Sequence, residues 1–296
     1  MTRASAALLA VSLLWGTTFV AVKSALDDVS PLLFVALRFT FAAAASFLLV
    51  RRVGDLRSCL GAAIPLGAVL AAAYAAQTIG LTTTSPSRSA FVTGANVALV
   101  PLWAAIWLRV RPRAGAIAGL LIVLPGLWLL TGAGTGAWAV GDAWTLLCAV
   151  LFALHVVLLN RLAPGRPAGA LLAVQLTVTA ALALAAAAIL EPVRVSFTPT
   201  VLGALALTAL LATTGTTWLQ IRFQPRVDPT RAALIYATEP VFASVFSFLV
   251  FGEVLAGAAW GGAGLILAGI VLSELGTAGA AGDPAGSALG TEVRRE

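Results

Sequence analysis

Apolar runs of about twenty residues recur along the whole chain, separated by short stretches that hold most of the Lys, Arg, Asp and Glu. A bilayer core about 30 Å thick is crossed by about 20 helical residues, so each run is long enough to span it. The pattern predicts helices near 4–25, 31–50, 59–80, 87–108, 114–131, 139–160, 168–190, 200–221, 230–251 and 256–275. From Gly276 the chain turns rich in Gly and Ala with scattered charge, which reads as a disordered cytoplasmic tail over 276–296. Arg3 ahead of an apolar run resembles the start of a secretory signal. That run continues to Lys23 without a clear small-x-small cleavage site and nine more follow, so it reads as a retained first helix. The fold class expected is an all-α integral membrane protein with ten transmembrane helices.

Composition narrows the function classes. Of 296 residues 60% are hydrophobic and only 10% charged, and the mean hydropathy is +1.00, too few polar side chains to coat a soluble globule. The net charge of +6 carries no nucleic-acid signal, because the basic residues sit in small groups between apolar runs. With the N-terminus cytoplasmic, fourteen of the eighteen basic residues fall on one side. Lys23, Arg88 and Arg194 fall on the other, and Arg38 lies inside a span. Under the positive-inside rule both termini are cytoplasmic. Seventeen Arg against one Lys, with heavy Ala and Gly use, suggests a bacterial plasma membrane. Cys59 and Cys148 lie in apolar segments without metal or disulfide spacing, and no cofactor is indicated.

The chain resembles itself. An offset of 143 matches Pro86, Arg88, Ala90, Gly119, Gly126 and Leu129 to Pro229, Arg231, Ala233, Gly262, Gly269 and Leu272, and also Gln77 to Gln220. An offset of 137 matches Arg38 to Gln175. Two halves of five helices, over 1–135 and 136–275, have opposite orientation because five is odd. Inverted repeats are typical of carriers in which one half rocks against the other around a central site.

Several candidate residues follow from depth. Glu239 lies ten residues after Pro229, about 15 Å into its span and near the bilayer middle. A carboxylate there costs a few kcal/mol unless it is paired, hydrated or protonated. Pro240 also leaves the carbonyl of Tyr236 without its helical donor. Glu239 is therefore read either as a proton-carrying or ammonium-binding group or as an interhelical tie. Asn96 is its partner in the first half, at similar depth, and does not titrate. Arg38, about 10 Å from the external end, is a candidate to pair with Glu239, to hold a substrate carboxylate or to stabilise its helix. His155, the only histidine, is a second candidate proton relay or a structural residue. Trp15 with Phe19, Tyr74 with Gln77, and Gln175, Gln220 and Tyr236 complete a set suited to a small amphipathic solute. Trp103, Trp107, Trp128, Trp138 and Trp144 lie nearer span ends and read as interfacial belt residues. GxxxG spacings at Gly115 to Gly119 and Gly257 to Gly261 favour close contacts of the fifth and tenth helices, through which a homodimer could form.

The motifs Leu14-Trp15-Gly16 with Phe19, Ser30-Pro31 leading to Leu37-Arg38-Phe39, Asp228-Pro229 with Arg231-Ala232-Ala233, Glu239-Pro240-Val241-Phe242-Ala243, and Gly252-Glu253 followed by Gly262 and Gly269 resemble the EamA-type branch of the drug/metabolite transporter superfamily. The first half departs from this pattern, with Asn96-Val97 in place of the Glu-Pro pair and no Gly-Glu corner. The resemblance implies a ten-helix carrier of small metabolites, often an exporter of amino acids or related compounds, with helices one to four and six to nine around a central cavity. Its expected partners are the lipid bilayer and a small-molecule substrate. Multidrug or organic-cation efflux is the alternative within the transporters. A channel is a further rival, separated from a carrier by saturable flux and counterflow. An intramembrane enzyme would need clustered catalytic groups, whereas this chain has one His, one Lys and no pair of deep acids. It contains no P-loop pointing to direct ATP drive.

Overall fold

A computed structural model of the chain describes residues 2–84, 86–109, 112, 114–131, 139–251 and 257–280. The Gly252-Glu253 corner, Trp138, Arg111, Arg113 and the tail from 281 lie outside the described residues. The described chain is helical, with one isolated antiparallel bridge between Val29 and Val195. The first half comprises α1 (Arg3–Gly16), α2 (Thr18–Ala25), α3 (Pro31–Ser46), α4 (Gly54–Thr83), α5 (Pro86–Gly94), α6 (Asn96–Trp107) and α7 (Ala114–Thr131). The second comprises α8 (Val140–Leu162), α9 (Ala168–Leu190), α10 (Pro199–Ala206), a π-helical stretch (Leu207–Gly215), α11 (Thr216–Phe223), α12 (Pro229–Tyr236), α13 (Glu239–Phe251) and α14 (Gly257–Ala280). Six helical stretches are long and apolar enough to cross a membrane: Arg3–Ala25, Pro31–Leu49, Gly54–Thr83, Val140–Leu162, Ala168–Leu190 and Pro199–Arg226. This is a multi-pass membrane protein.

Four expected spans are interrupted rather than continuous. Between α1 and α2 the hydroxyls of Thr17 and Thr18 donate back to the carbonyls of Leu14 and Trp15, at 2.7 and 2.8 Å, competing with the helical ladder. The fourth span breaks at Ala95, just after Gly94, a poor helix former. The ninth breaks at Ala237 and Thr238, two residues before Pro240, which has no N–H to continue the ladder. The eighth widens into the π-helical turns, where Thr214 donates to the carbonyl of Ala209 at 2.9 Å. The breaks of the fourth and ninth spans coincide under the 143 offset, since α6 begins at Asn96 and α13 at Glu239.

The halves pack in crossed pairs. The chain brings α3 against α9 and α7 against α14, while α4 lies on α8 as α1 and α2 lie on α10 and α11. Glycines set the closest approaches. A Cβ on Gly126 would lie 2.9 Å from the carbonyl oxygen of Gly262, and one on Gly269 would lie 2.7 Å from that of Gly119. The Gly pairs matched by sequence thus meet crosswise, each glycine on the other's repeat partner. A Cβ on Gly16 would sit 2.8 Å from Phe242 Cβ, which explains why a glycine follows Trp15 where α1 meets α13. In the tenth span, by contrast, Gly257, Gly261 and Gly264 face open space. Three buried clusters fill the interior, one centred on α1, α6, α8 and α12, one on α3, α4, α8 and α9, and a smaller one on α2, α3 and α10.

Candidate functional site

Where the broken and intact helices converge, a cavity is lined by Trp15, Thr18, Leu70, Tyr74, Gln77, Thr93, Asn96, Phe152, His155, Val156, Thr217, Gln220, Tyr236 and Glu239. It holds about 580 Å³ of unfilled space, but only about 30 Å³ of it can take the centre of a water molecule. The second figure is the one to set against small-molecule sites of about 300–1,000 Å³, and it is far smaller, so side chains would have to part to admit a solute.

Twelve of these fourteen residues form equivalent pairs between the halves. The 137 offset relates Trp15 to Phe152 and Thr18 to His155. The 143 offset relates Tyr74 to Thr217, Gln77 to Gln220, Thr93 to Tyr236 and Asn96 to Glu239. The lining is thus symmetric in backbone position and asymmetric in chemistry. The only formally charged carboxylate on it is Glu239, and the only imidazole is His155, both from the second half.

Glu239 opens α13 and has no hydrogen-bond partner among the described residues, and the side-chain amide of Asn96 likewise has none. Unpaired polar groups at that depth need water or solute in the cavity, because a dry apolar setting would leave their desolvation uncompensated. Gln77 donates to Thr93 at 3.5 Å. The aromatic wall is continuous: Trp15 and Tyr236 have centroids 5.3 Å apart, and Tyr74 meets Phe152 edge-on at 5.1 Å. The indole N–H of Trp15 is fixed by the carbonyl of Ala212 and the hydroxyl of Thr216, each at 3.2 Å.

Three expected site residues stand back from the cavity. Arg38 does not pair with Glu239. Its Nε donates to Thr213 Oγ1 at 2.7 Å, its Nη2 donates to the carbonyl of Ala212 at 3.3 Å, and its guanidinium lies 4.4 Å from the centroid of the Tyr74 ring. The π-helical stretch supplies these acceptors, so a buried cation finds partners on the eighth span rather than the ninth. Phe19 is buried in the small cluster with Val22, Phe34 and Leu81. Gln175 is completely buried behind His155, whose Nε2 lies 3.1 Å from its Nε2.

Polar contacts that residue typing by depth missed tie helices together toward both ends of α8, beyond the cavity lining. At one end Lys23 Nζ donates to the carbonyls of Leu81, Thr82 and Thr84 at the C-terminus of α4, the last two at 3.3 Å, where the helix dipole favours a cation. At the other, Asn160 Nδ2 donates to the carbonyls of Val227 at 2.8 Å and Gln224 at 3.5 Å. Gln224 continues this contact: its Nε2 donates to Val156 O at 2.8 Å and Asn160 Oδ1 at 2.7 Å, and its Oε1 accepts from the Tyr236 hydroxyl at 2.9 Å. The two contacts are equivalent. The 137 offset carries Lys23 to Asn160, and the 143 offset carries Leu81 and Thr84 to Gln224 and Val227. The offsets that reveal the repeat relate one contact to the other, but neither offset locates the first from the sequence.

Known proteins share this plan. An uncharacterized transporter from Archaeoglobus fulgidus is 30% identical over 268 residues, covering 90% of this chain and 83% of the relative. A solved crystal structure superposes with a TM-score of 0.78 at 25% identity, covering 92% of this chain and 96% of the other. The model of the EamA-like transporter family matches twice, over residues 2–132 and 139–275, once for each half. The broken helices, the paired cavity and these two matches carry one conclusion: the chain belongs to the EamA-like transporter family.

Proposed function

We propose that this transporter is a secondary carrier working by alternating access, with ten transmembrane helices in two five-helix halves of opposite orientation. It resides in a bacterial plasma membrane with both termini cytoplasmic. One observation carries the reading: equivalent contacts stand beyond the two ends of the cavity lining, Lys23 on the carbonyls of Leu81 and Thr84, and Asn160 on those of Gln224 and Val227, and these are its proposed closures. In an inverted repeat such contacts lie on opposite sides of the membrane, so exchanging the conformations of the halves opens one and closes the other. By the basic-residue bias, Lys23 is the external closure and Asn160 the cytoplasmic one.

The proposed cargo is a small metabolite, an amino acid or related compound, moved outward between aromatic walls. Glu239 is the proposed proton carrier because it faces the cavity without a protein partner. Organic-cation efflux is the second reading, favoured by the engagement of Arg38 with Thr213 and Ala212, which leaves Glu239 as the formal charge on the wall. Lipid covers the outer faces of α7 and α14, with Leu121, Trp128, Trp260 and Val271 exposed, and a second copy would sit on the same surface.

Metabolite profiling of the medium from overexpressing and deletion cells, followed by counterflow in proteoliposomes, tests the carrier and its cargo. Accumulation of one compound class outside overexpressing cells, with saturable counterflow, is the expected result. Flux without counterflow would assign a channel instead. In inverted vesicles, Glu239→Gln should lose the response to an imposed pH gradient. A wild-type response in that variant removes Glu239 as the proton carrier.

A further inference from the structure

Behind the cavity wall, Gln175 and His155 form an isolated pair. Gln175 is completely buried, its Nε2 lies 3.1 Å from His155 Nε2, and its Oε1 is sealed off without a partner. The side-chain amide can face the ring in two ways. With Nε2 toward the ring, the amide donates to an unprotonated His155 Nε2, and Oε1 and the second N–H are left unsatisfied. Turned round, Oε1 would accept from a protonated Nε2, and the sealed position would hold an NH₂ with two unsatisfied donors. Both arrangements leave two groups unsatisfied, and the structure shows the first, in which the amide Nε2 can only donate. A neutral imidazole carries its proton on one nitrogen, so it then resides on Nδ1. His155 lines the cavity, and its Nδ1 has no hydrogen-bond partner among the described residues.

We propose that Gln175 is a positioning residue that fixes His155 as an Nδ1–H donor to the cavity, where it recognises an acceptor group, a carboxylate, on the transported solute. The proposal rests on the carrier reading and deepens it. With a donor at His155 and an acceptor at Glu239, the wall is complementary to a small zwitterion and not to a cation alone. The repeat shows how the asymmetry arises: the first half supplies Thr18 in place of His155 and Arg38 in place of Gln175, and Arg38 is turned toward Thr213.

The chain has a single histidine, so labelling with ¹⁵N-histidine yields a one-site spectrum of the full protein in liposomes. The expected spectrum at neutral pH shows Nδ1 protonated and Nε2 bare. Gln175→Glu, which can only accept when ionised, should move the proton to Nε2, and Gln175→Met should leave a mixture. A wild-type ring protonated on Nε2 or on both nitrogens, or an unchanged tautomer in Gln175→Met, overturns the positioning role. Because the wild-type spectrum is decisive alone, a variant that fails to fold does not remove the test. For the ligand, the probes are the amino acids and their decarboxylated amines, added to the labelled protein. A shift of the Nδ1 resonance with amino acids and not with amines is expected. A shift with amines alone, with both equally or with neither overturns carboxylate recognition. Counterflow is measured separately, so its loss would sink the carrier reading without altering the tautomer result.

Discussion

Glu239 and Arg38 are the two charges that the depth argument placed inside the bilayer, and the structure sends them to different fates. Glu239 keeps an unpaired carboxyl on the cavity wall, whereas Arg38 is consumed by Thr213, Ala212 and the face of Tyr74. Arg38→Gln should therefore lower the thermal unfolding midpoint in detergent while leaving the response to a pH gradient as in wild type. The opposite pattern, an unchanged midpoint with a lost response, would return Arg38 to the transport site. Gln224 is the structural counterpart at the Asn160 contact. Gln224→Leu leaves the Tyr236 O–H without its acceptor and Asn160 Oδ1 without its donor, so a loss of about 1–3 kcal/mol is expected in chemical denaturation. Depth along a helix was legible in the sequence because rise per residue is constant, and it located Asn96, His155 and Glu239. Rotation about the helix axis was not. Spans that are apolar all round carry no stripe to orient them, so the sequence does not show that Phe19, Arg38 and Gln175 stand outside the cavity lining.

Among the elements, the succession of apolar helices was readable and their interruptions were not. Composition marks where a span meets water, whereas a break depends on local competition for backbone hydrogen bonds, as at Thr17 and Thr18. Pro240 signals a lost backbone bond through its missing N–H but not the break itself, since Pro65, Pro101 and Pro125 lie inside unbroken helices. Glycines, by contrast, carried readable meaning, because each repeat-matched pair proved to be a crossing point of α7 and α14. Gly67 makes a comparable contact between α4 and α9, where a Cβ would lie 2.6 Å from the carbonyl oxygen of Gln175 and 2.8 Å from Val178 Cβ. Gly67→Ala should cost about 1–3 kcal/mol through overpacking. Gly203→Ala, with nothing within 4 Å, should be neutral or slightly stabilising in the same unfolding measurement. Equal effects of the two substitutions would show that the helices do not approach as closely as described.

For the whole molecule, the central claim is that two equivalent closures alternate across one asymmetric cavity. Lys23 and Asn160 hold them with different chemistry, an ammonium on a helix C-terminus against a neutral amide, so the two end states need not be equally stable. The most direct measurement uses an Asn96→Cys cavity reporter in a background with Cys59→Ala and Cys148→Ala. A membrane-impermeant thiol reagent is applied from each side of oriented vesicles. The account predicts that Lys23→Ala raises labelling from the external side and lowers it from the cytoplasmic side, and that Asn160→Ala does the reverse. Labelling that rises from both sides together in either variant, or that ignores both substitutions, would contradict it.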